Sequence, residues 1–288
     1  MNWTVKPFLL FCIPLIMTIG CSKAPWEGAV TAPGQYTIEL EHDSVERTYD
    51  LHVPIGYDGN TSVPLVFDLH PVIVNGQILE LMSNFQSLSD THGFILVQPN
   101  GTGNSWNAGP VCCSPAYKND VDDIGFIRAI RDDLLERGLD IDISKVFADG
   151  MSNGAYLAHT IACEDSELLA GIAPVVAGMG YHDVNECTPS KPMPVLMISG
   201  AKDGLSSKEE TFNRWVELNS CTTSQSETFG VFTCTTYDDC DAGVETTHCV
   251  GEGVGHCWPG TDFVVYGCNQ DLDASQVIWE FYERIINE

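Results

Sequence analysis

Two patterns of apolar residues alternate along the chain and predict its strands. Residues 36–41 and 49–54 alternate apolar with polar side chains, which predicts antiparallel strands with one face in water. Later segments are short continuous apolar runs, as expected of strands buried on both faces; they cover residues 63–70, 93–98, 145–148 and 194–199. The change of pattern predicts opening antiparallel strands followed by the central parallel strands of a sheet.

Helical spacing occurs between and after these strands. Asp122 and Asp123 can cap a helix that ends near Gly138; its apolar residues recur at helical spacing and are Ile124, Ile127, Ile130 and Leu134. Residues 275–286 form another amphipathic segment. Strands that alternate with helices predict an α/β fold, with a mostly parallel central sheet and helices on both faces. A single domain from 35 to 288 is the simplest organisation.

The N-terminal segment predicts export. Residues 1–20 combine Lys6 with an apolar run at 8–19 that is too short to span a bilayer comfortably, which is typical of a removable signal peptide. Cys21 follows a small residue at the end of this run, as in a bacterial lipoprotein, so it is a candidate acylation site; ordinary cleavage is the alternative. Residues 22–34 predict a flexible tether. We expect a mature chain that is secreted or lipid-anchored outside the cytoplasm, without a membrane-spanning segment.

Composition and charge narrow the partners. Hydrophobic residues make up 44% of the chain and charged residues 18%, which is enough apolar surface for a compact core. Lys and Arg number 13 against 40 Asp and Glu, and the formal net charge is −27. Because this field repels phosphate backbones, nucleic acid is disfavoured as a partner. The acidic residues at 120, 122 and 123 lack the spacing of a calcium loop, so helix capping is the better interpretation.

The cysteines indicate disulfides. The chain has 12 cysteines, and setting aside Cys12 and Cys21 leaves ten, an even number in an exported protein. Zinc is the weaker alternative because no Cys-x-x-Cys pair occurs, and we predict no metal site. Residues 221–249 hold four of the cysteines in a polar, Thr-rich stretch, which we interpret as a disulfide-stapled excursion.

The candidate nucleophile is Ser152. It is the central residue of Gly150-Met-Ser-Asn-Gly154, which matches the Gly-x-Ser-x-Gly turn that exposes a serine between a strand and a helix. The motif alone is weak, but here a buried strand at 145–148 precedes it and a predicted helix at 155–163 follows it. A serine that attacks a carbonyl needs a histidine base, and that histidine needs a carboxylate partner.

Chain order selects the partners of Ser152. In a fold with this turn, the acid follows the serine and the histidine comes last. Asp203 directly follows the strand that ends near residue 199, and His256 lies in a glycine-rich loop before the final helix. Both positions lie after strands, where ligands bind in parallel sheets. We therefore predict that Ser152, Asp203 and His256 form a catalytic triad.

Other candidates for these roles fit less well. Asp149 stands too close to Ser152 within the turn itself. Asp262 follows His256 so closely that it would reverse the usual arrangement. His248 is the main rival histidine, but its surroundings are typical of a strand, which favours a structural role.

Further motifs surround these residues in a fixed order. They are His70 at a strand end, Asn104-Ser-Trp-Asn-Ala-Gly, Cys112-Cys113, Val121-Asp-Asp-Ile-Gly-Phe126, the Ser152 turn, Asp203 and Gly255-His-Cys-Trp-Pro-Gly260. From about residue 36 to the C-terminus, the set resembles the polyhydroxybutyrate depolymerase-like esterases. This family is related to bacterial feruloyl and acetylxylan esterases and belongs to the α/β-hydrolase superfamily. The resemblance implies that fold, ester hydrolysis by the triad, and no metal or organic cofactor.

The resemblance also implies an oxyanion hole. The fold takes one donor from the residue after the nucleophile, here Asn153. By resemblance, the second donor is the N–H of Val72. The chain departs from the family at three places: Pro71 stands where the family has Gly, the loop after Asp203 looks shortened, and Ala155 replaces a frequent second Gly. Pro71 lacks an N–H and therefore removes one backbone donor from this loop.

Further site residues are implied by the same resemblance. The implied disulfides are Cys163–Cys187 and Cys221–Cys240. His70, Trp106 and Trp258 stand in family motifs near the expected mouth of the site and are candidate substrate contacts. A flat aromatic ring can stack on a sugar or phenolic ring, but buried packing is an equal alternative for the two tryptophans.

These residues together predict a serine esterase that acts through an acyl-enzyme. The expected substrate is a hydroxyalkanoate, feruloyl or acetyl ester, either small or polymeric. Peptidases and acyltransferases use the same triad, so the motif does not separate them. A catalytically silent surface-binding protein on a hydrolase scaffold is a different alternative, and the intact triad argues against it.

Overall fold

The structure, a computed structural model, describes residues 28–30, 32–205, 207–261 and 268–287. The expected signal peptide, Cys21 and Asp262 lie outside these ranges. No helix within the ranges has both the length and the apolar character that crossing a bilayer requires. Part of the expected tether packs on the domain, because Val30 is buried and its N–H donates to the carbonyl oxygen of Arg137 at 3.0 Å.

One sheet organises the described residues. Its strands are β1 Gly34–His42, β2 Val45–Val53, β3 Val63–Leu69, β4 Ile95–Pro99, β5 Ile141–Met151, β6 Gly171–Val175, β7 Val195–Gly200, β8 Ser224–Phe229, β9 Phe232–Tyr237 and β10 Thr246–Gly251. Across the sheet they run in the order β1-β2-β4-β3-β5-β6-β7-β10-β9-β8. The neighbours from β4 to β10 pair in parallel, whereas both edges are antiparallel. The prediction of opening antiparallel strands and central parallel strands is confirmed.

Helices cover both faces of this sheet. Those in the described ranges are α1 Gly76–Ser83, α2 Phe85–His92, α3 Asp123–Glu136, α4 Asn153–Glu164, α5 Lys208–Leu218 and α6 Ala274–Ile286. The buried side chains of α3, α4 and α5 share one apolar core, and those of α1, α2 and α6 share another. Successive residues of β5 alternate between the cores, since Val146 and Ala148 face the first and Phe147 the second. The predicted α/β fold with helices on both faces is therefore confirmed.

Local signals explain which elements the sequence predicts. Asp122 caps α3, and its carboxylate accepts a hydrogen bond from the Gly125 N–H at 2.9 Å. Strand β6 has no prediction, because Gly171 and Pro174 interrupt its short apolar run. The excursion at 221–249 extends the sheet: β8 and β9 form a hairpin against β10. All of β8 is exposed and polar apart from one Phe, so it carries no apolar alternation to reveal it.

Disulfides join helices, strands and loops of the described domain. The structure joins Cys163 to Cys187 and Cys221 to Cys240, the pairs that the resemblance implies. Two further disulfides, Cys112–Cys113 and Cys234–Cys249, have no counterpart in the sequence-based expectation. The prediction of a disulfide-stapled fold is thereby confirmed.

Candidate active site

Ser152 occupies the turn between β5 and α4. Its φ of 53° lies in the left-handed region, where a non-glycine residue is strained. The Ser152 N–H donates to the carbonyl oxygen of Val175 at 3.0 Å, which fixes the turn to β6. A Cβ atom on Gly150 or Gly154 would overlap Leu69 of β3. Glycine at both positions is therefore a packing requirement of this turn.

Asp203 and His256 meet at the carboxyl edge of the sheet. Asp203 follows β7 and His256 follows β10, and these neighbouring parallel strands bring the two residues together. The His256 Nδ1 atom lies 3.0 Å from Asp203 Oδ2. The Asp203 side chain is 1% exposed, while the His256 ring is 28% exposed. This geometry leaves the histidine ring accessible while its carboxylate partner is shielded from water.

Asp203 is held in its ionised form by its neighbours. Burial by itself raises the pKa of this carboxyl, but hydrogen bonds from His256 and Lys208 bring the pKa below its ordinary value. Lys208 Nζ lies 3.0 Å from Asp203 Oδ2 and also donates to the Asp203 carbonyl oxygen at 2.8 Å. The sequence-based prediction does not include Lys208. The sequence does contain a signal for Lys208, because it is a lysine in the first turn of α5, where acidic residues are preferred.

Ser152 shares the sheet edge with this pair. The strands β5, β7 and β10 all present their carboxyl ends there, since they run parallel within one sheet. No hydrogen bond joins Ser152 Oγ to His256 among the described residues. In ligand-free enzymes such contacts are often long and tighten only when substrate binds.

The loop after β3 leaves the predicted backbone donor, the Val72 N–H, available. Pro71 has no N–H, and the Ile73 N–H donates to the carbonyl oxygen of Asn104 at 2.8 Å. The N–H of Val72 makes no hydrogen bond to another described residue. Asn153 opens α4, and the first N–H groups of a helix have no acceptor within it. Both donors of the predicted oxyanion hole are thus free for a ligand in the described part of the chain.

The Asn153 side chain has a separate role. Its Oδ1 accepts from the Trp106 N–H at 2.7 Å, and its Nδ2 donates to the Trp106 carbonyl oxygen at 3.2 Å. The Trp106 indole N–H donates in turn to the carbonyl oxygen of His70 at 2.9 Å. These contacts tie the nucleophile turn to the end of β3.

His70, Trp106 and Trp258, the candidate substrate contacts, are all buried, and their contact with substrate stays a prediction. Their exposed fractions are 0%, 0% and 1%. Burial lowers the pKa of His70 to about 4, so its ring is neutral, and its Nε2 accepts from the Gly101 N–H at 2.9 Å. The Trp258 indole N–H donates to Ser275 Oγ at 3.0 Å. These three rings pack and position the loops of the site.

The rival residues are placed elsewhere. The His248 ring is 6% exposed, and its Nε2 lies 2.7 Å from Ser199 Oγ inside the sheet layer. Burial lowers the pKa of His248 to about 4. Asp149 lies beneath the nucleophile turn, fully buried beside Asp68 of β3. Neither rival is accessible to a substrate.

A buried group of carboxyls under the turn is absent from the sequence-based prediction. Burial and the neighbouring charge of Asp68 raise the pKa of Asp149 well above its ordinary value, so Asp149 holds a proton that it can donate to Asp68. Asp68 also accepts from Ser83 Oγ and Gln98 Nε2, both at 2.8 Å. Asp149 stands three residues before the nucleophile, so this network supports the turn from below.

Known proteins resemble the chain over most of the described domain. No protein-family model matches it. It is 26% identical over 227 residues to feruloyl esterase B of Piromyces equi, which covers 70% of this chain and 41% of that protein. It is 28% identical over 178 residues to poly(3-hydroxyalkanoate) depolymerase C of Paucimonas lemoignei, which covers 60% of this chain and 40% of that protein. The chain spans about two-fifths of the length of these two relatives.

A solved structure gives the same fold. Acetyl xylan esterase from Aspergillus awamori matches with a TM-score of 0.62 at 18% identity, over 78% of this chain and 94% of that one. The sheet order, the helix layers and this neighbour define an α/β-hydrolase-like protein. The relatives in sequence are named a feruloyl esterase and a poly(3-hydroxyalkanoate) depolymerase, and this chain is similar to both.

Proposed function

We propose that the chain is an exported serine esterase in which Ser152, His256 and Asp203 act as a triad. The observation that carries the proposal is the 3.0 Å contact between His256 Nδ1 and Asp203 Oδ2, at the sheet edge where the strained turn presents Ser152. Two residues 53 positions apart meet beside the nucleophile turn. This is the arrangement that an acyl-transfer reaction needs.

The first half of the reaction acylates Ser152. Asp203 is ionised and accepts from His256 Nδ1–H, which leaves Nε2 as the ring atom that takes the Ser152 proton. Ser152 Oγ attacks the ester carbonyl carbon, and the N–H groups of Asn153 and Val72 stabilise the oxyanion. The tetrahedral intermediate collapses, and protonated His256 gives its proton to the departing alcohol.

The second half releases the acid. Water loses a proton to His256 and attacks the acyl-enzyme carbonyl at the same oxyanion site. Collapse of this second intermediate breaks the bond to Ser152 Oγ, which regains the proton from His256. The cycle uses no group beyond the chain's own residues and water.

The names of the relatives guide the choice of substrate. They are a feruloyl esterase and a poly(3-hydroxyalkanoate) depolymerase, and the structural neighbour is an acetyl xylan esterase. We infer that the substrate is an ester of a phenolic acid, a hydroxy acid or acetate, presented outside the cytoplasm. The four disulfides support an oxidising compartment. The signal peptide at 1–20 and acylation at Cys21 belong to the same proposal.

A substrate panel tests the proposal. Purified protein is assayed on p-nitrophenyl esters of several chain lengths, methyl ferulate, acetylated xylan and soluble hydroxybutyrate oligomers, with Ser152→Ala as the inactive variant. Ser199→Ala is the matched control, because Ser199 is also hydrogen-bonded to a histidine, His248, at 2.7 Å but is buried. We expect the wild type and the control to hydrolyse at least one class and to react with a fluorophosphonate probe.

Other outcomes identify the alternatives. Absence of probe labelling in a folded wild type would show a silent scaffold. Labelling with cleavage of peptide amides but not of the panel esters, or with transfer of the acyl group to an added alcohol but no hydrolysis, would identify a peptidase or an acyltransferase. Each of these results contradicts the esterase proposal.

A further inference from the structure

Lys208 forms a buried ion pair with the carboxylate that holds His256. Lys208 Nζ and His256 Nδ1 both lie 3.0 Å from the same atom, Asp203 Oδ2. The Lys208 side chain is 7% exposed and that of Asp203 is 1% exposed. Two donors therefore share one oxygen in a site that water barely reaches.

The position of Lys208 is unfavourable apart from this contact. It is the first residue of α5, where the helix dipole disfavours a positive charge, and burying an ammonium group is costly unless it is paired. The ion pair with Asp203 offsets both costs. Asp203 and Lys208 are five positions apart, so the short segment between β7 and α5 places the start of the helix beside the carboxylate.

We propose that Lys208 is a positioning residue for the triad, which orients the Asp203 carboxylate and limits how strongly it attracts a proton onto His256. A carboxylate oxygen that also accepts from an ammonium group has less negative charge to offer the imidazole. Without this ammonium group, Asp203 should attract a proton onto the His256 ring more strongly. The proposal rests on the proposed function.

The other titratable groups near this pair do not supply the same charge. His248 on β10 faces Lys208. Burial, and next the charge of Lys208, lower the pKa of His248 to about 4, so the His248 ring is neutral. Burial raises the pKa of the Cys257 thiol, beside His256, so it stays protonated. In the described part of the chain, Lys208 is accordingly the permanent cation that pairs with Asp203.

The test compares Lys208→Met, Lys208→Gln and Lys208→Arg on a soluble ester. Each rate is divided by the concentration of active sites, which is titrated with a fluorophosphonate probe. We expect Met and Gln to move the acidic limb of the kcat/KM profile to higher pH by roughly half a unit or more, and Arg to keep it in place. Met also removes the donor, so the plateau kcat falls by roughly tenfold with little change in KM. Gln retains a donor and loses less.

Lys202→Met is the matched control, because Lys202 is an exposed lysine next to Asp203 and its loss should leave the profile in place. The proposal would be overturned if Lys208→Met kept the wild-type pH profile and the wild-type rate per titrated site. A loss confined to thermal stability would also overturn it. A wild type without hydrolysis or labelling refutes the proposed function instead. The low-field proton NMR signal of His256 Nδ1–H then still tests the contact, because Lys208→Met must shift it.

A separate observation concerns Cys257 and Cys268. Their segments run side by side: the Gly260 N–H donates to the Asn269 carbonyl oxygen at 3.0 Å, and Cys268 Sγ lies 3.3 Å from the Trp258 carbonyl oxygen. Burial, and next a hydrogen bond with the Cys268 thiol, raise the pKa of the Cys257 thiol. Both side chains pack in the core that contains α6. The two thiols therefore touch, directly after the candidate base.

We infer that Cys257 and Cys268 are oxidised to a fifth disulfide in the exported protein, which ties the His256 loop to the segment before α6. The other eight cysteines of the described domain are paired, which indicates an oxidising compartment. The two S–H bonds and the disulfide of a thiol oxidant such as oxidised glutathione break. A new S–S bond forms, and the oxidant leaves as two thiols that carry both protons and both electrons.

Mass spectrometry tests this pairing on the protein as exported. The wild type is denatured without reductant in iodoacetamide and digested, and we expect a Cys257–Cys268 cross-linked peptide and neither cysteine alkylated. Alkylation of both residues would overturn the inference. Cys257→Ser and Cys268→Ser should each free one alkylatable thiol at the partner position. A partner that stays blocked in either variant would show a different pairing and also overturn it.

Discussion

At the scale of single residues, the site divides hydrogen-bonding groups between positioning and chemistry. Asn153 uses its side-chain amide to hold Trp106, which leaves its backbone N–H for the proposed oxyanion hole. His70 uses both ring nitrogens within the protein, since Nδ1 donates to the Pro71 carbonyl oxygen at 2.8 Å and Nε2 accepts from Gly101. A residue type alone does not reveal which of these roles it has.

The triad predicts a large and shared loss of activity. We expect Ser152→Ala and His256→Ala each to lower kcat by several orders of magnitude, because triad members act as one unit. Activity should also rise with pH through roughly 6 to 7, where histidine side chains ordinarily lose their proton. Steady-state kinetics over a pH series measure both. Near-full activity in either variant, or a rate that is flat with pH, would refute the assignment.

The oxyanion loop predicts contrasting effects of two neighbouring substitutions. Val72→Pro removes the N–H that has no acceptor in the described structure, and we expect kcat to fall roughly 10²-fold or more. Pro71→Gly adds freedom at a position that supplies no donor, so activity should stay within about tenfold. Kinetics on the same ester, with circular dichroism as the check on folding, compare them. A folded, fully active Val72→Pro would place the oxyanion hole elsewhere.

At the scale of elements, buried carboxyls connect the strands and helices beneath the nucleophile turn. Asp68 on β3 and Asp149 on β5 lie side by side, and α1 contributes Glu80 while α6 contributes Tyr282. Gln98 of β4 donates to both Asp68 and Glu80, at 2.8 and 3.1 Å. Because buried carboxyls without a countercharge are more stable when protonated, this network links proton binding to the packing of several elements.

Glu80 predicts a stability that falls as pH rises. Burial, and next the charge of Asp68, raise its pKa from 4.5 to about 8. The folded state therefore keeps this proton to a higher pH than the unfolded chain, and the free energy of unfolding decreases as pH rises between these two values. Glu80→Gln should flatten this dependence in urea unfolding measured below and above the window. Exposed Glu136→Gln is the control, and an unchanged slope in Glu80→Gln would contradict the prediction.

At the scale of the whole molecule, disulfides and net charge both bear on stability. Three of the disulfides join residues 15 to 24 positions apart. Cys163–Cys187 and Cys221–Cys240 fasten the ends of α4 and α5 to later loops, and Cys234–Cys249 joins the paired strands β9 and β10. The net charge of −27 gives a strongly acidic, solvated molecule. Stability then depends on cross-links as well as on the two apolar cores.

The Cys163–Cys187 disulfide predicts a measurable part of that stability. It spans 24 positions and ties the end of α4 to the segment before β7. Replacing both cysteines by Ser should lower the free energy of unfolding by roughly 3 kcal/mol, because the unfolded chain regains the freedom that the closed loop removes. Denaturant unfolding of the double variant against the wild type measures this. An unchanged midpoint and slope would contradict it.

The sequence by itself determined the features that local patterns encode. Apolar runs predicted the central strands β3, β4, β5 and β7, and helical spacing predicted α3 and α6. The Gly-x-Ser-x-Gly turn identified Ser152 as the candidate nucleophile between β5 and α4. The order of acid and base along the chain then selected Asp203 and His256. These inferences need only neighbours in sequence and the geometry that strands, helices and turns share.

Only the tertiary structure decided how deeply residues are buried and which distant residues meet. Trp106 and Trp258 stand in motifs beside the site, yet the loops and helices around them bury both rings. Lys208 reaches Asp203 because the start of α5 folds back over the end of β7. Strand β8 joins the sheet by backbone hydrogen bonds, which its polar side chains do not predict. Burial and long-range contact depend on the packing of whole elements, which a local pattern of residues does not contain.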